Sequence, residues 1–227
     1  MDSISILIAS LSVMAVGFAF FMLLGALDCR ERKKKYDYLS GFIFEYGDAG
    51  TTLGIASRTF LSLYFVGGVF GSFSLLFESG FSSFMGLIIF LGVLAFLSSA
   101  SAISMSLIPT YHFGPHLLST VVFFFSSIMV DAVGGIVLLN AYSASAGSIW
   151  VMVIAIALFV LALFLVALLF NPKLSRWTEL SSYMDEDGAI STCRPRPFVL
   201  AFSEWLGLYA GVISFALIAI GSFLLTY

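Results

Sequence analysis

Six long apolar stretches, separated by short polar connections, make up most of this chain. A helix needs about 20 mainly apolar residues to cross the roughly 30 Å hydrocarbon core of a bilayer. The stretches are about that long or longer, so the pattern predicts six transmembrane helices. Their approximate bounds are 4–27, 59–77, 83–108, 117–140, 148–170 and 198–226.

The composition supports a membrane protein. Hydrophobic residues make up 60% of the chain and charged residues 10%, whereas about 25% of the residues in soluble domains are charged. The mean hydropathy is +1.08. We therefore predict an all-α integral membrane protein, in which residues 1–227 form a single domain built as a bundle of six transmembrane helices.

Two connections have recognisable patterns of their own. Loop one, which joins the first two stretches, places aromatic residues among carboxylates, as is typical of a segment at the membrane interface. In loop five, Leu174, Trp177 and Leu180 are spaced three residues apart. This spacing predicts a short interfacial helix.

The distribution of basic residues predicts an orientation. Lysine and arginine near the ends of spans stay on the cytoplasmic side, and all of them here lie in or beside loops one and five. We therefore expect loops one, three and five in the cytoplasm and both termini outside. The first stretch lacks a basic leading segment, so we expect it to be retained as a span. The basic residues are Arg30, Arg32, Lys33, Lys34, Lys35, Arg58, Lys173, Arg176, Arg194 and Arg196.

The basic cluster Arg30, Arg32, Lys33, Lys34 and Lys35 has two interpretations. It serves as the signal that orients the first helix, which we favour, or it also attracts anionic lipid headgroups. Each basic residue near an anionic surface contributes about 1 kcal/mol to such attraction. Anionic membrane lipids are therefore a predicted partner of this segment.

Both histidines of the chain precede or open the fourth stretch, at His112 and His116. Their spacing of four residues would place both imidazoles on one helix face, which makes them the two candidates for a metal site. Pro115, however, disfavours helix at Gly114. We therefore expect no metal centre and a single hydrogen-bonded interfacial histidine, His116.

Two carboxylates lie inside predicted spans. Asp131 is about 22 Å along the fourth helix from His116, and Glu204 is followed by Trp205 near the start of the sixth helix. An ionisable residue within a span is costly and is by default a candidate for function. For Asp131 the alternative is a structural carboxyl group bonded to a serine or tyrosine of a neighbouring helix.

Alternation of the spans brings loops one, three and five to the same end of the bundle. Glu45, His116 and Glu204 can therefore converge, although they lie far apart in the sequence. A histidine beside two carboxylates is suited to exchanging a proton or holding a cation. The sequence thus predicts a polar site at this end of the bundle.

Three short motifs resemble the DRAM/Frag/Sfk family of six-span membrane proteins, which includes a factor for GPI-anchor lipid remodelling and the autophagy modulators. The family has an Ile-Ser-Asp-x-Gly-like motif in loop one, a histidine opening the fourth helix, and a Glu-Trp pair in the last helix. A similar group of prokaryotic six-span proteins shares this order. The matching stretches are Ile43-Phe44-Glu45-Tyr46-Gly47, His116-x-x-Ser119-Thr120 with Phe123-Phe124, and Ser203-Glu204-Trp205.

The chain departs from the family in two respects. Phe44 and Glu45 stand where the loop-one motif has serine and aspartate, so a role that depends on that serine does not transfer. The eukaryotic relatives are drawn with cytosolic termini, whereas the basic residues here predict termini outside.

The resemblance implies lipid-related work: headgroup binding, remodelling or control of lipid distribution. We expect the polar site to comprise Glu45, His116, Glu204 and Trp205, and to bind rather than catalyse. One alternative is a structural subunit packed against other membrane subunits; another is an ion or proton carrier using Asp131 and Glu204. The sequence has no nucleophile, P-loop, zinc or dinucleotide motif, and we expect no cofactor and no nucleic-acid partner.

Overall fold

The six predicted spans are present as helices in the computed structural model. It describes residues 3–78, 84–109, 112–145, 148–173, 181–184, 190–193 and 196–226. Six helices are long and apolar enough to cross a membrane, which confirms the predicted all-α membrane fold. They are α1 (Ser3–Glu31), α3 (Thr52–Glu78), α4 (Met85–Leu107), α5 (Phe113–Ser145), α6 (Ile149–Leu169) and α7 (Val199–Thr226).

The connections at one end of the bundle contain the remaining elements. Loop one carries the one-turn helix α2 (Ile43–Tyr46), and loop five carries two antiparallel strands, β1 (Ser181–Met184) and β2 (Ile190–Cys193). The interfacial helix predicted at Leu174, Trp177 and Leu180 lies outside the described residues.

Several helices extend beyond the apolar stretches. α3 begins seven positions before the predicted start of its span and α1 runs to Glu31, so Arg58 and Asp28 are helical residues instead of loop residues. Hydropathy marks only the part of a helix suited to hydrocarbon. Backbone hydrogen bonds carry the helix further wherever other protein segments cover its polar side chains.

The prediction that Pro115 keeps the chain non-helical at Gly114 is wrong. α5 begins at Phe113, and the backbone N–H of His116 donates to the carbonyl of His112 at 3.1 Å. Proline is tolerated in a first helical turn because its missing N–H would have no intrahelical partner there. The helix therefore starts early enough to point His116 into the bundle.

α7 lies at the centre of the helix packing. It contacts α1, α3, α5 and α6, while α1 pairs with α3 and α5 packs between α4 and α6. Residues that α7 carries are therefore enclosed on several sides. Trp205, Leu208 and Ala219 of this helix are almost completely buried.

The outer faces of the bundle are apolar. Large hydrophobic side chains stand exposed on different helices, among them Phe70 at 73%, Phe96 at 66% and Leu163 at 69%. Such exposure would be unfavourable in water but matches a hydrocarbon environment, where lipid chains cover these side chains. Polar side chains instead face the interior, as in the hydrogen bond between the Ser98 and Ser127 hydroxyls, 2.8 Å apart between α4 and α5.

Gly17 allows a close approach of the α1 and α3 backbones. A Cβ atom at this position would lie 2.9 Å from the carbonyl oxygen of Phe60 and 3.0 Å from the backbone nitrogen of Tyr64. Both are backbone atoms of α3, so no side-chain rotation relieves the contact. Small residues that let backbones approach in this way are the usual basis of helix association in lipid.

We expect Gly17→Ala to lower the free energy of unfolding by about 1–3 kcal/mol, because α1 must move away from α3. The measurement is the apparent Tm of the purified protein in one detergent. Gly86→Ala is the matched control, because a Cβ at that helical position meets no atom within 4 Å. Equal Tm values for the two variants would contradict the proposed close packing.

Candidate functional site

His116 and Glu204 form a buried pair between α5 and α7. The imidazole Nε2 lies 2.9 Å from Glu204 Oε1, and Nδ1 lies 2.7 Å from the carbonyl oxygen of Ile108, just after α4. His116 is 2% exposed and Glu204 0%. The pair therefore ties together three helices at the end of the bundle that carries loop one.

The geometry fixes how protons are placed on this pair. A carbonyl oxygen only accepts hydrogen bonds, so His116 Nδ1 must carry a proton to bond Ile108. A single further proton then lies between Nε2 and Glu204 Oε1, on one atom or the other. The pair is either an imidazolium with a carboxylate or a neutral imidazole with a carboxylic acid.

Other groups close the pair off. The rings of Phe42 and Phe44 meet the imidazole edge to face, at centroid distances of 5.5 and 5.6 Å. The hydroxyl of Thr120 lies 3.1 Å from Glu204 Oε1. Among the described residues, Glu204 Oε2 has no hydrogen-bond partner.

Glu45 lies near the pair, in the one-turn helix α2 of loop one. Its carboxylate Oε2 accepts from the backbone N–H of Phe42 at 3.1 Å and thereby caps α2. It lies close enough to act on His116 electrostatically. Two of the predicted residues, His116 and Glu204, are thus in contact, and Glu45 is a third charged group nearby.

Trp205 anchors loop one to α7. Its indole N–H lies within hydrogen-bond distance of the Tyr36 hydroxyl, 2.9 Å, and of the Gly41 carbonyl, 3.0 Å. The Tyr36 hydroxyl donates in turn to the Phe42 carbonyl at 2.7 Å. Burial raises the pKa of Tyr36 well above its usual value, so the phenol remains a donor at neutral pH.

A cavity of about 280 Å³ lies beside this pair, at the same end of the bundle. Its lining combines charged side chains of both signs with apolar ones, and it was not predicted from the sequence. Phe44 belongs to the lining and also packs on His116, so it borders both the cavity and the buried pair. The lining residues are Arg32, Lys34, Phe44, Glu45, Asp48, Ala49, Arg58, Leu107 and Pro109.

Arg58 is the most deeply buried charged residue of the cavity lining, with 8% of its surface exposed. Nε donates to the Gly47 carbonyl at 2.8 Å, and Nη2 donates to the carbonyls of Phe44, at 2.7 Å, and of Gly47. Nη1 is buried and has no hydrogen-bond partner among the described residues. A buried N–H that lacks a partner is costly, about 1–3 kcal/mol, and therefore marks a position suited to an anionic ligand.

Asp28 stabilises the turn beneath the cavity. One carboxylate oxygen accepts from Arg32 Nε at 2.9 Å and from the Asp48 backbone N–H at 3.0 Å, and the other accepts from the Thr51 hydroxyl. Arg32 Nη2 completes the ion pair at 2.6 Å. The spacing of four residues between Asp28 and Arg32 is typical of an ion pair on one face of a helix. This pattern applies only if α1 continues past its apolar stretch, which the hydropathy alone does not indicate.

Asp131 lies deep in the bundle, apart from the other candidates. It is 0% exposed, and neither carboxyl oxygen has a hydrogen-bond partner among the described residues. The side chain of Ser214 of α7 is the neighbouring hydrogen-bonding group, and its hydroxyl also donates to the Ala210 carbonyl at 2.9 Å. The structural alternative, a carboxyl group bonded to a neighbouring serine, therefore stays a prediction, with Ser214 as the adjacent serine.

Two aromatic side chains lie between the levels of Asp131 and Glu204. Phe123 and Phe124 of α5 are both buried, and their rings pack on Gly207 of α7, where an added Cβ would lie 2.9 Å from Phe124 Cζ. The α5–α7 interface is thus filled with aromatic carbon between the two carboxyl groups.

The two histidines do not share a metal-ligand arrangement. His112 is exposed, while both ring nitrogens of His116 are already in hydrogen-bond contact. Within the described residues, no group of three or more His, Cys, Asp or Glu side chains is placed to hold a metal ion.

No protein-family model, curated protein or solved structure matches this chain. The resemblance to the six-span DRAM/Frag/Sfk family therefore stays a prediction from the three motifs. The structure does bring parts of those motifs together, since His116, Thr120 and Glu204 are in contact.

Glu204→Ala is expected to lower the free energy of unfolding by about 2–4 kcal/mol, because it leaves Nε2 of a buried imidazole without a partner. Glu204→Gln is the matched control and should cost less than about 1 kcal/mol, since its amide can donate to a neutral Nε2. Apparent Tm in detergent measures both. Similar losses for the two variants would show that the negative charge, rather than the hydrogen bond, stabilises the pair.

Replacing Asp131 by leucine should raise the apparent Tm. Leucine has the same branching as aspartate and needs no hydrogen-bond partner, so the change removes an unsatisfied buried group worth about 1–3 kcal/mol. Asp131→Asn keeps a polar group at this position and should give no comparable gain. A fall in Tm for the leucine variant would mean that Asp131 has a polar partner in the membrane-embedded protein.

Proposed function

We propose that this multi-pass membrane protein handles lipids by binding a lipid headgroup in the cavity beside loop one. The observation that carries the proposal is Arg58, a buried cation that lines that cavity and whose Nη1 has no hydrogen-bond partner among the described residues. Oxygen atoms of a headgroup would supply the missing acceptor.

The mixed lining of the cavity supports a lipid over a fully water-soluble ligand. Charged groups such as Lys34 and Asp48 share the cavity with Leu107 and Pro109, at the end of α4. A phospholipid has the same two kinds of surface, because its headgroup is polar and charged and the part that follows it towards the acyl chains is apolar. The cavity also lies where α1 and α3 pass from apolar sequence into the charged residues of loop one.

His116 and Glu204 have a positioning role in this proposal. Both imidazole nitrogens are used in hydrogen bonds to Ile108 and Glu204, so neither is free to exchange a proton with a ligand. This favours a role in holding the Phe44 ring at the cavity over a role in acid–base catalysis. We therefore propose binding, with any remodelling of the lipid carried out by a partner enzyme.

The proposed orientation follows the basic residues. Arg30, Lys33 and Lys35 lie at or just after the end of α1 and are all exposed. Basic residues near the end of a span favour the cytoplasmic side. The headgroup would then come from the cytoplasmic leaflet, where anionic lipids add electrostatic attraction.

Two other functions are less well supported. A carrier that moves ions or protons between Asp131 and Glu204 needs a polar path, whereas Phe123 and Phe124 fill the interface between them. An accessory role in a larger membrane complex predicts a protein partner in fixed stoichiometry in place of a bound lipid.

We expect native mass spectrometry of gently extracted protein to show a retained phospholipid, and Ala49→Trp to remove it by filling the cavity. Ala144→Trp is the matched control, because Ala144 is also exposed but lies near the end of α5, at the opposite end of the bundle. Lipid-free parent protein, or equal retention in the two variants, would contradict headgroup binding in this cavity. A stoichiometric protein partner on lipid-free protein would favour the accessory subunit.

A further inference from the structure

His116 and Glu204 share one proton, and we infer that this proton makes the pair a pH-sensitive latch at the loop-one end of the bundle. While the proton lies between the two side chains, the pair holds α5, α7 and the end of α4 together. When the proton is lost at high pH, the pair separates. This inference goes beyond lipid binding and does not depend on what the cavity holds.

The geometry allows one proton in the contact between the two side chains. Nδ1 of His116 keeps its own proton, because it faces the carbonyl oxygen of Ile108 at 2.7 Å. Nε2 and Glu204 Oε1, 2.9 Å apart, each present a lone pair unless a proton lies between them. With that proton the contact is a hydrogen bond, and without it two lone pairs face each other.

Loss and gain of a proton therefore have different effects on the latch. Loss leaves a carboxylate beside the lone pair of a neutral imidazole, so the contact becomes repulsive and the buried pair has a net negative charge. Gain is possible at Glu204 Oε2, which is buried and has no hydrogen-bond partner among the described residues. Nε2–H then still donates to Oε1, so the latch opens when the pH rises and not when it falls.

The titratable groups around the pair do not offset a negative charge on it. Glu45 of α2 acts electrostatically on His116, and the Tyr36 phenol of loop one acts on Glu204. His112, one helical turn before His116, is exposed, and α4 has no charged residue. Within the part of the chain that the structure describes, Glu204 forms no ion pair with a lysine or arginine.

The remaining donors near the carboxylate are neutral. The Thr120 hydroxyl lies 3.1 Å from Glu204 Oε1, and the backbone N–H of Ile43 also acts on this side chain. The Thr120 hydroxyl is also within 3.0 Å of the carbonyl oxygen of its own helix at His116. These groups stabilise a carboxylate but supply no proton to the contact with Nε2.

The test is the apparent Tm of the full-length protein in one detergent, measured as the pH is raised from neutral. In the unfolded chain above about pH 7 the imidazole is neutral and the carboxylate is ionised, so no proton is shared. The folded pair then holds one proton more than the unfolded chain, and stability falls as the pH rises. We expect the parent protein to lose about 3–5 °C per pH unit more than Glu204→Gln.

Glu204→Gln should lack this alkaline loss of Tm, because a glutamine amide donates to a neutral Nε2 without a titrating proton. Glu31→Gln is the matched control: it removes a carboxylate that is exposed at the end of α1, and it should keep the alkaline loss of the parent. An equal alkaline loss in Glu204→Gln and in the parent, or a parent Tm that does not fall, would overturn the latch.

Nitrogen NMR of isotope-labelled histidine observes His116 itself. The chain has two histidines, so His112→Gln leaves His116 as the single signal. We expect its Nε2 resonance to change over the same pH interval in which Tm falls, while Nδ1 keeps its proton. A constant Nε2 resonance through that interval would overturn the inference, and this measurement decides even if Glu204→Gln does not fold. Neither measurement uses a lipid, so headgroup binding keeps its separate test.

Discussion

The hydrogen bond between His116 and Glu204 is the constraint on which this end of the molecule depends. It joins α5 to α7 where both side chains are removed from solvent, and a buried polar group without its partner costs several kcal/mol. The second imidazole nitrogen fixes the end of α4 through Ile108. Three helices are therefore held in register by one side chain, and the aromatic residues around α2 pack on the surface that results.

Loop one is held on that surface chiefly by polar bonds from aromatic side chains. Trp205 bonds Tyr36 and Gly41, and the Tyr46 hydroxyl donates to the Met22 carbonyl of α1 at 2.6 Å. Burial raises the pKa of the Tyr46 phenol, so this donor persists across the neutral range. The loop therefore has a defined conformation, and the cavity it borders has fixed walls.

The spans and the contact between His116 and Glu204 were predictable, because each depends on local pattern and on the alternation of helices across a membrane. The cavity was not. Arg58 looked like a residue flanking a loop, and its role depends on carbonyls of Gly47 and Phe44 that only the folded turn brings to it. The role of Asp28 could not be predicted for the same reason, because its burial requires Thr51 and Asp48 to fold over the end of α1.

Phe44 has one further consequence. Its ring contacts the imidazole of His116 and also borders the cavity. A rotation of the ring therefore changes both the packing on the imidazole and the shape of the cavity. Coupling between two sites is reciprocal. Any rearrangement of the three helices that rotates the imidazole would therefore alter the fit of an occupant, and an occupant that displaces the ring would transmit its presence to the helix core by steric contact alone.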